Sequence, residues 1–281
     1  MAVRVVTDSV SDLPASIADE LDITVVPANV HFGTQVFKDG VDLTTDQFFD
    51  RLINGPDFPT TSQPSVGEFM DAYSSVARDA DAIVSVHVSG KVSGTVNSAR
   101  QGAERVDVGC PIEVLDTQQA SMGVGLIAMA AARAAKEGAA VDDVVAAAKD
   151  ASERAQCVAL LDTLEYLQKG GRIGKARALV GTLLKIKPLI IVRDGEVHDF
   201  AKERTRRKAV ARLERAAHEF APLSSASVMY STSRDEADTL AESIRSLMTG
   251  EEDPIVARFG PALGTYVGPD SLGLVVLSAD T

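Results

Sequence analysis

Two short stretches of this chain concentrate hydroxyl side chains at places where local structure should change. HVSGKVSGTVNSA, residues 87–99, follows the apolar run AIVSVHV and offers Ser89, Gly90, Ser93, Gly94, Thr95 and Ser98, with one lysine and no acid. A strand turning into a helix here would set Ser93 and Thr95 at the first helical turn, whose free N–H groups carry a partial positive charge. Gly94 would let a ligand come close to the backbone. This combination suits an anion, either a phosphate or a carboxylate, held without a formal cation. PTTSQPS, residues 59–65, adds Thr60, Thr61, Ser62, Gln63 and Ser65 between two prolines. Proline restricts the backbone on both sides, and a restrained loop can aim a hydroxyl. Ser65 with Glu68 three residues on is a capping box, which accounts for Ser65 but not for the other hydroxyls. TDSVSDLP (7–14) and the glycine-rich RFGPALGTYVGPDSLGLVV (258–276) supply two further candidate linings, the second read as a long thin turn between strands.

Other chemistries have weaker support. Nucleophilic catalysis needs a base beside the nucleophile. Of the four histidines, His87 ends the strand before Ser93, so a Ser93/His87 phosphotransferase or hydrolase is the alternative to a binding protein. His87 also reads as a structural strand-end histidine. The sequence contains no G-x-S-x-G elbow, no Walker A loop, no H-E-x-x-H and no C-x-x-C. Cys110 and Cys157 have no metal-ligand spacing and read as thiols of a cytoplasmic protein. No metal and no cofactor is expected. The net charge of −12 argues against a nucleic-acid binder. KERTRRKAVARLER (202–215), with seven basic and two acidic residues, is the local exception. It reads as the wet face of a helix with Ala209, Val210 and Leu213 inward, or as a contact for an acidic partner or a transient membrane surface.

The elements that would position these residues follow from periodicity. In the first half, β-branched runs alternate with helical patterns: strands at 3–9, 23–32, 82–88 and 111–117, and helices at 44–53, 66–77, 120–137 and 141–155. Asp12 is placed as the cap of a helix entered through Pro14. Strands separated by crossover helices imply a mostly parallel α/β sheet. The second half changes rhythm, with a strand at 156–162, a short helix at 164–168, the glycine-basic loop KGGRIGKAR (169–177), a helix at 179–184 and a hairpin over 187–202 with Asp194-Gly195 at its tip. Hairpins mixed with helices imply a mixed α/β domain. The boundary is set at 156/157, giving an N-terminal domain of 1–156 and a C-terminal one of 157–281. No apolar run reaches the roughly 20 residues of a membrane span, and the longest, VGLIAMAAA, stops at Arg133.

Taken together, TDSVSDLP, TTSQPS, SGKVSGTVNSA, VLDTQQAS (114–121), LEYLQKGGRIG (164–174), LLKIKP (183–188) and GPALGTYVGP resemble the DegV family, in order and over nearly the whole chain. The resemblance implies a two-domain α/β fold that holds one long-chain fatty acid in a buried tunnel at the domain junction. It also implies a non-catalytic role, presenting the acid to a separate ATP-dependent fatty acid kinase subunit that forms an acyl phosphate for phospholipid synthesis. On this sequence the carboxylate ligands would be Thr61 and Ser93, with Ser62, Ser89 and the Gly94 amide as secondary candidates. Arg172 would be the partner contact, among Lys169, Lys175 and Arg177. TYVGPD (265–270) departs from the family's THxGPG, so Tyr266 stands where a histidine is usual near the head group. A tyrosine there still hydrogen-bonds but does not titrate near neutral pH. The leucine, isoleucine and valine residues of 158–192 are expected to furnish tunnel wall.

Overall fold

The computed structural model describes residues 2–179 and 186–279. The chain opens with β1 (Val3–Asp8), a single 3-10 turn (Ser9–Ser11), α1 (Ala15–Glu20), β2 (Ile23–Val26), β3 (Asn29–Phe32) and β4 (Gln35–Lys38). Next come α2 (Thr45–Asn54), β5 (Thr60–Ser62), α3 (Val66–Val76), β6 (Ala82–His87), α4 (Thr95–Arg105) and β7 (Ile112–Asp116). Two consecutive helices, α5 (Met122–Lys136) and α6 (Val141–Arg154), lead into β8 (Ala155–Leu160) and α7 (Glu165–Lys169). The remainder is β9 (Lys187–Arg193), β10 (Glu196–Glu203), α8 (Arg206–Phe220), β11 (Leu223–Tyr230), α9 (Arg234–Ile244), β12 (Ile255–Arg258), α10 (Pro261–Val267) and β13 (Leu272–Ser278).

Three sheets result. β2-β1-β6-β7 is parallel throughout, β10-β9-β8-β13-β11-β12 is mixed, and β4-β3-β5 is a small antiparallel sheet. The two central parallel strands, β1 and β6, are buried on both faces, as their Val/Ile-rich sequences require, while β2 and β7 at the edges are only partly covered. Val6 and Ile83 face Phe69, Tyr73 and Ala99 of α3 and α4. Val5, Val84 and Val86 face α5, whose Met122, Val124 and Ile127 join the same core as Cys157, Ala159 and Val275 of the six-stranded sheet. Helix α5 is therefore a layer shared by two sheets. That position explains its sequence: a helix apolar all round is a buried one, and alanine and glycine let both sheets come near. The outer face of the six-stranded sheet packs on Leu213 of α8 and Leu240 of α9.

The α/β class and the parallel-then-mixed order of sheets match the sequence reading. Several details do not. ITVVPANVHF is two strands in two sheets, because Pro27 has no N–H to continue the ladder. The hydroxyl loop at 54–65 contains β5, which pairs with β3. The thin turn at 258–276 contains α10, opened by Pro261 at its first position. Asp12 caps no helix: it sits at φ 50° after the 3-10 turn, and α1 starts behind Pro14. The helix expected at 179–184, apart from Leu179 in a 3-10 turn, and the first half of the LLKIKP motif lie outside the described residues; Lys187 and Pro188 of that motif are in β9. The basic stretch 202–215 belongs largely to α8, with Ala209 and Leu213 buried and Arg206 and Arg212 paired to Glu236 and Glu219.

The hairpin tip does what its Asp-Gly dipeptide implies, with φ 51° at Asp194 and 76° at Gly195. A β-carbon on Gly195 would lie 2.5 Å from Ser89 Oγ. Gly195→Ala is therefore expected to cost about 1–2 kcal/mol in backbone strain, and more from the displaced Ser89 contact. Urea denaturation of wild type and variant would measure it, and unchanged stability would refute the docking of this tip.

Candidate functional site

Strand β6 ends at His87, and the corner that follows is fixed from two sides. The Gly90 N–H donates to both carboxylate oxygens of Asp116 at the end of β7, at 3.3 and 3.2 Å. The Ser89 hydroxyl donates to Gly195 O (2.8 Å), and Lys91 Nζ donates to Asp194 O (2.7 Å), which straps the corner to the β9–β10 hairpin. Ser89 is thus a strut, fully buried, and not a free ligand. Thr95 opens α4 with Gly94 before it, and Ser93 Oγ lies 2.8 Å from Thr95 Oγ1. Gly94 is covered by the Gln63 side chain, which a β-carbon at residue 94 would meet at 2.8 Å.

Strand β5 delivers the second group. Thr61 is the cross-strand partner of Val30, which is fully buried, so the two side chains share the inner face of the small sheet. Thr61 Oγ1 lies 2.5 Å from the Tyr266 hydroxyl near the end of α10. Ser62 Oγ bonds instead to His31 Nε2 at 3.0 Å. Arg172 closes this cluster. Its guanidinium lies 5.3 Å from the Tyr266 ring centroid and donates to Val92 O and Gly170 O. Arg172 is exposed, and its charge is turned to carbonyls and a ring, not to an acid. In its neighbourhood Lys169 pairs with Glu165 and Lys175 with Glu196.

These groups line one cavity. It measures ≈ 990 Å³ with the space at its mouth, and ≈ 110 Å³ of this can hold the centre of a water molecule. Its polar lining is Thr61, Ser62, Gln63, Ser93, Thr95 and Ser121, joined by Arg172 and Tyr266. The rest is largely apolar. Cys157, Ala159, Ile190 and Val192 come from the six-stranded sheet, Val10, Val88 and Val92 from the ends of β1 and β6, and Phe259, Leu263 and Val267 from in and around α10. Leu167, Ile190 and Val192 fall in the 158–192 segment expected to supply wall. Gln63 and Thr95 line the cavity although the sequence reading did not single them out as ligands. Their neighbours were the available clue, one in a hydroxyl-rich loop and the other at the same helix turn as Ser93.

His87 is sealed beneath this surface. Its Nδ1 lies 2.9 Å from Asp8 Oδ2, its Nε2 lies 2.7 Å from Ser85 Oγ, and the Phe69 ring crosses it edge-on. Both nitrogens are engaged, so no base is turned toward Ser93. The Cys157 thiol is pushed up to about 12 by burial, aided by the charge of Asp12, and is no nucleophile near neutral pH.

Two carboxyls behind the cavity are unusual. Asp12 takes a hydrogen bond from Gly260 N–H (2.8 Å) and another from the Ser121 hydroxyl (2.6 Å). Asp39 takes one from the Ser9 hydroxyl (2.8 Å) and faces the Ala262 N–H. Burial raises Asp12 to about 8 and Asp39 to about 7, outweighing these hydrogen bonds, with Asp8 adding like charge to each.

The profile described as "Uncharacterised protein, DegV family" matches residues 2–279. The chain belongs to the DegV family. A DegV domain-containing protein of Streptomyces coelicolor is 37% identical over 280 residues, covering 98% of each chain. Among solved DegV structures, a Thermus thermophilus family member reported as fatty acid binding superposes with a TM-score of 0.92 at 33% identity, covering 99% of this chain and 100% of that one. A stearic-acid-binding protein from Eubacterium ventriosum superposes at 0.88 with 26% identity, covering 98% of both. No helix among the described residues of this DegV chain is long and apolar enough to cross a membrane.

The raised carboxyls carry a signed consequence. In the unfolded chain Asp12 ionises near its ordinary value, and in the folded chain near 8. The folded state thus binds the proton more tightly, so its stabilising contribution is complete below pH about 4 and is lost as pH climbs through 8. Urea midpoints are expected to fall between pH 5 and pH 8.5, and to fall less in Asp12→Asn. An equal fall in that variant would show that Asp12 ionises normally.

Proposed function

We propose that this DegV chain is a non-catalytic carrier that binds one long-chain fatty acid in the cavity, with the carboxylate at Thr61 and Ser93 and the tail along the apolar wall. The observation that carries the proposal is one cavity lined by a set of hydroxyl and amide groups, with Arg172 beside them, and otherwise by apolar side chains. Family members reported to bind fatty acids share the fold over nearly the full chain, which supports the same reading here. Gln63, Thr95, the Gly94 backbone and Tyr266 complete the head-group end.

The energetics agree. A buried methylene contributes ~0.8 kcal/mol, so a long acyl tail supplies on the order of 10 kcal/mol before the costs of association. The head group need only fix which end is which. Hydroxyls and amides do that while leaving the carboxylate oxygen nucleophilic, whereas a bidentate arginine would draw off its charge. This suits an acid that is to be phosphorylated. We assign the phosphoryl transfer to a separate ATP-dependent kinase subunit, with Arg172 and the exposed Arg177 at the docking face, and the acyl phosphate product to phospholipid synthesis in the cytoplasm. The stand-alone hydrolase reading has little support, since the ring nitrogens of His87 face Asp8 and Ser85.

Protein purified from a bacterial host should carry fatty acid, read by native mass spectrometry and by lipid extraction. An empty protein that also fails to take up palmitate would reject the proposal. Thr61→Ala combined with Ser93→Ala should weaken palmitate by roughly 10- to 100-fold, the loss of two hydrogen bonds to a charged group, with unchanged thermal stability.

A further inference from the structure

Helix α10 carries Tyr266 to the head-group cluster, and the described contacts show what holds that helix at its other end. Its first turn is met by two buried carboxyls from different parts of the chain. Asp12 accepts the Gly260 N–H, and Asp39 faces the Ala262 N–H. Each carboxyl is itself tied back, Asp12 to the Ser121 hydroxyl ahead of α5 and Asp39 to the Ser9 hydroxyl after β1. The middle of α10 is wedged, because a β-carbon on Gly264 would lie 2.6 Å from the Phe48 ring. Ala262, Leu263, Tyr266 and Val267 of the same helix line the cavity.

The backbone at Ser121 adds an independent observation. It sits at φ 54°, ψ −148°, a conformation that costs a non-glycine residue on the order of 1–3 kcal/mol. Glycine would adopt it freely, yet the residue present keeps a hydroxyl, and that hydroxyl reaches Asp12. The strain is retained for the sake of this contact.

We infer that Asp12 and Asp39, with Ser121 and Ser9 behind them, are positioning residues for the head-group site: by seating the first turn of α10 they set where Tyr266 meets Thr61. The inference rests on the fatty-acid reading above and extends it to two carboxyls outside the cavity lining, one of them held by Ser121 in the cavity wall. It also makes the seat sensitive to proton concentration. The titratable groups around Asp12 are Asp39, Asp8 with its partner His87, and the Cys157 thiol, while α10 brings only Tyr266. An α10 that lifts from its seat would admit water to the carboxyls and let them ionise, so rising pH favours the lifted helix.

The test compares palmitate with 1-hexadecanol, which has the same tail and no carboxylate, by isothermal titration on the full chain. Asp12→Ala and Asp39→Ala should weaken palmitate about tenfold, the worth of one hydrogen bond to a carboxylate, and leave hexadecanol unchanged. Ser9→Ala removes the partner of Asp39 from outside the cavity lining and should weaken palmitate while leaving hexadecanol unchanged. Asp12→Asn keeps an acceptor for Gly260, so it should bind palmitate more tightly than Asp12→Ala and should reduce the loss of affinity expected of wild type between pH 6.5 and 8.5, the remainder coming from Asp39. Equal weakening of palmitate and hexadecanol, or no weakening of either in the variants that fold, would overturn the inference. If wild type binds no palmitate at all, the carrier proposal fails, and the inference is then decided on the unliganded protein. The ¹³Cζ resonance of Tyr266 in tyrosine-labelled protein should shift in Ser9→Ala and Asp39→Ala, and an unmoved resonance would overturn it.

Discussion

A void between two packed sheets is unfavourable, and everything else about this fold follows from keeping one open. Protein interiors are as dense as organic crystals, and apolar cavities cost roughly 24 cal/mol per Å³. For the ≈ 110 Å³ open to water centres this is about 2–3 kcal/mol, a sizeable share of the stability of an ordinary domain. The frame that resists collapse is polar and lies around the cavity. The Ser89–Gly195 and Lys91–Asp194 contacts strap the corner after β6 to a hairpin of the other sheet, and the Asp12 and Asp39 contacts hold α10. Helix α5 sets the separation of the sheets with small side chains. A ligand that fills such a void recovers the lost packing contacts, so part of the binding energy is already stored in the empty fold.

The polar cluster is carried on short segments at the ends of elements. Gly94 leaves room for Gln63 and brings the start of α4 into the cavity wall, and β5 is only three residues long, between two prolines. Thr61 and Ser93 come from segments far apart in the chain, and Tyr266 comes from a third. Their convergence depends on α10 and on the small antiparallel sheet more than on the large sheets, which provide wall and little else. Local changes at the rim can thus alter the head group that is accepted without touching the core.

The parts of this arrangement that were legible in the sequence are those written in local patterns. Val/Ile-rich runs announced doubly covered strands, Asp194-Gly195 announced a hairpin tip, and Ser65 with Glu68 announced the start of α3. Thr61, Ser93 and Tyr266 are legible through motifs whose family resemblance spans most of the chain, and they line one cavity. What local pattern could not convey was long-range pairing. Three residues of β5 are too few to show alternation, and Pro27 can mark a bend or a change of sheet with equal ease. Asp12 followed a strand and preceded a proline, which fits a helix cap; its partners, Ser121 and Gly260, are 109 and 248 residues away. Ser89 carried the same hydroxyl as Ser93, and only the register of a distant hairpin distinguishes strut from lining.

Tyrosine at position 266 and the buried acids at 12 and 39 divide the work of the site in a particular way. A head-group residue that titrates near neutral pH would change charge beside the ligand carboxylate and alter its nucleophilicity directly. A phenol donates or accepts with the same geometry. The buried carboxyls lie at the first turn of α10, outside the cavity lining. Proton concentration then acts on the position of the tyrosine. An acyl carboxylate in this cluster would keep its own charge, with neutral donors on one side and Arg172 at the mouth, so the exposed rim is the direction from which a phosphoryl donor would meet an unblunted oxygen.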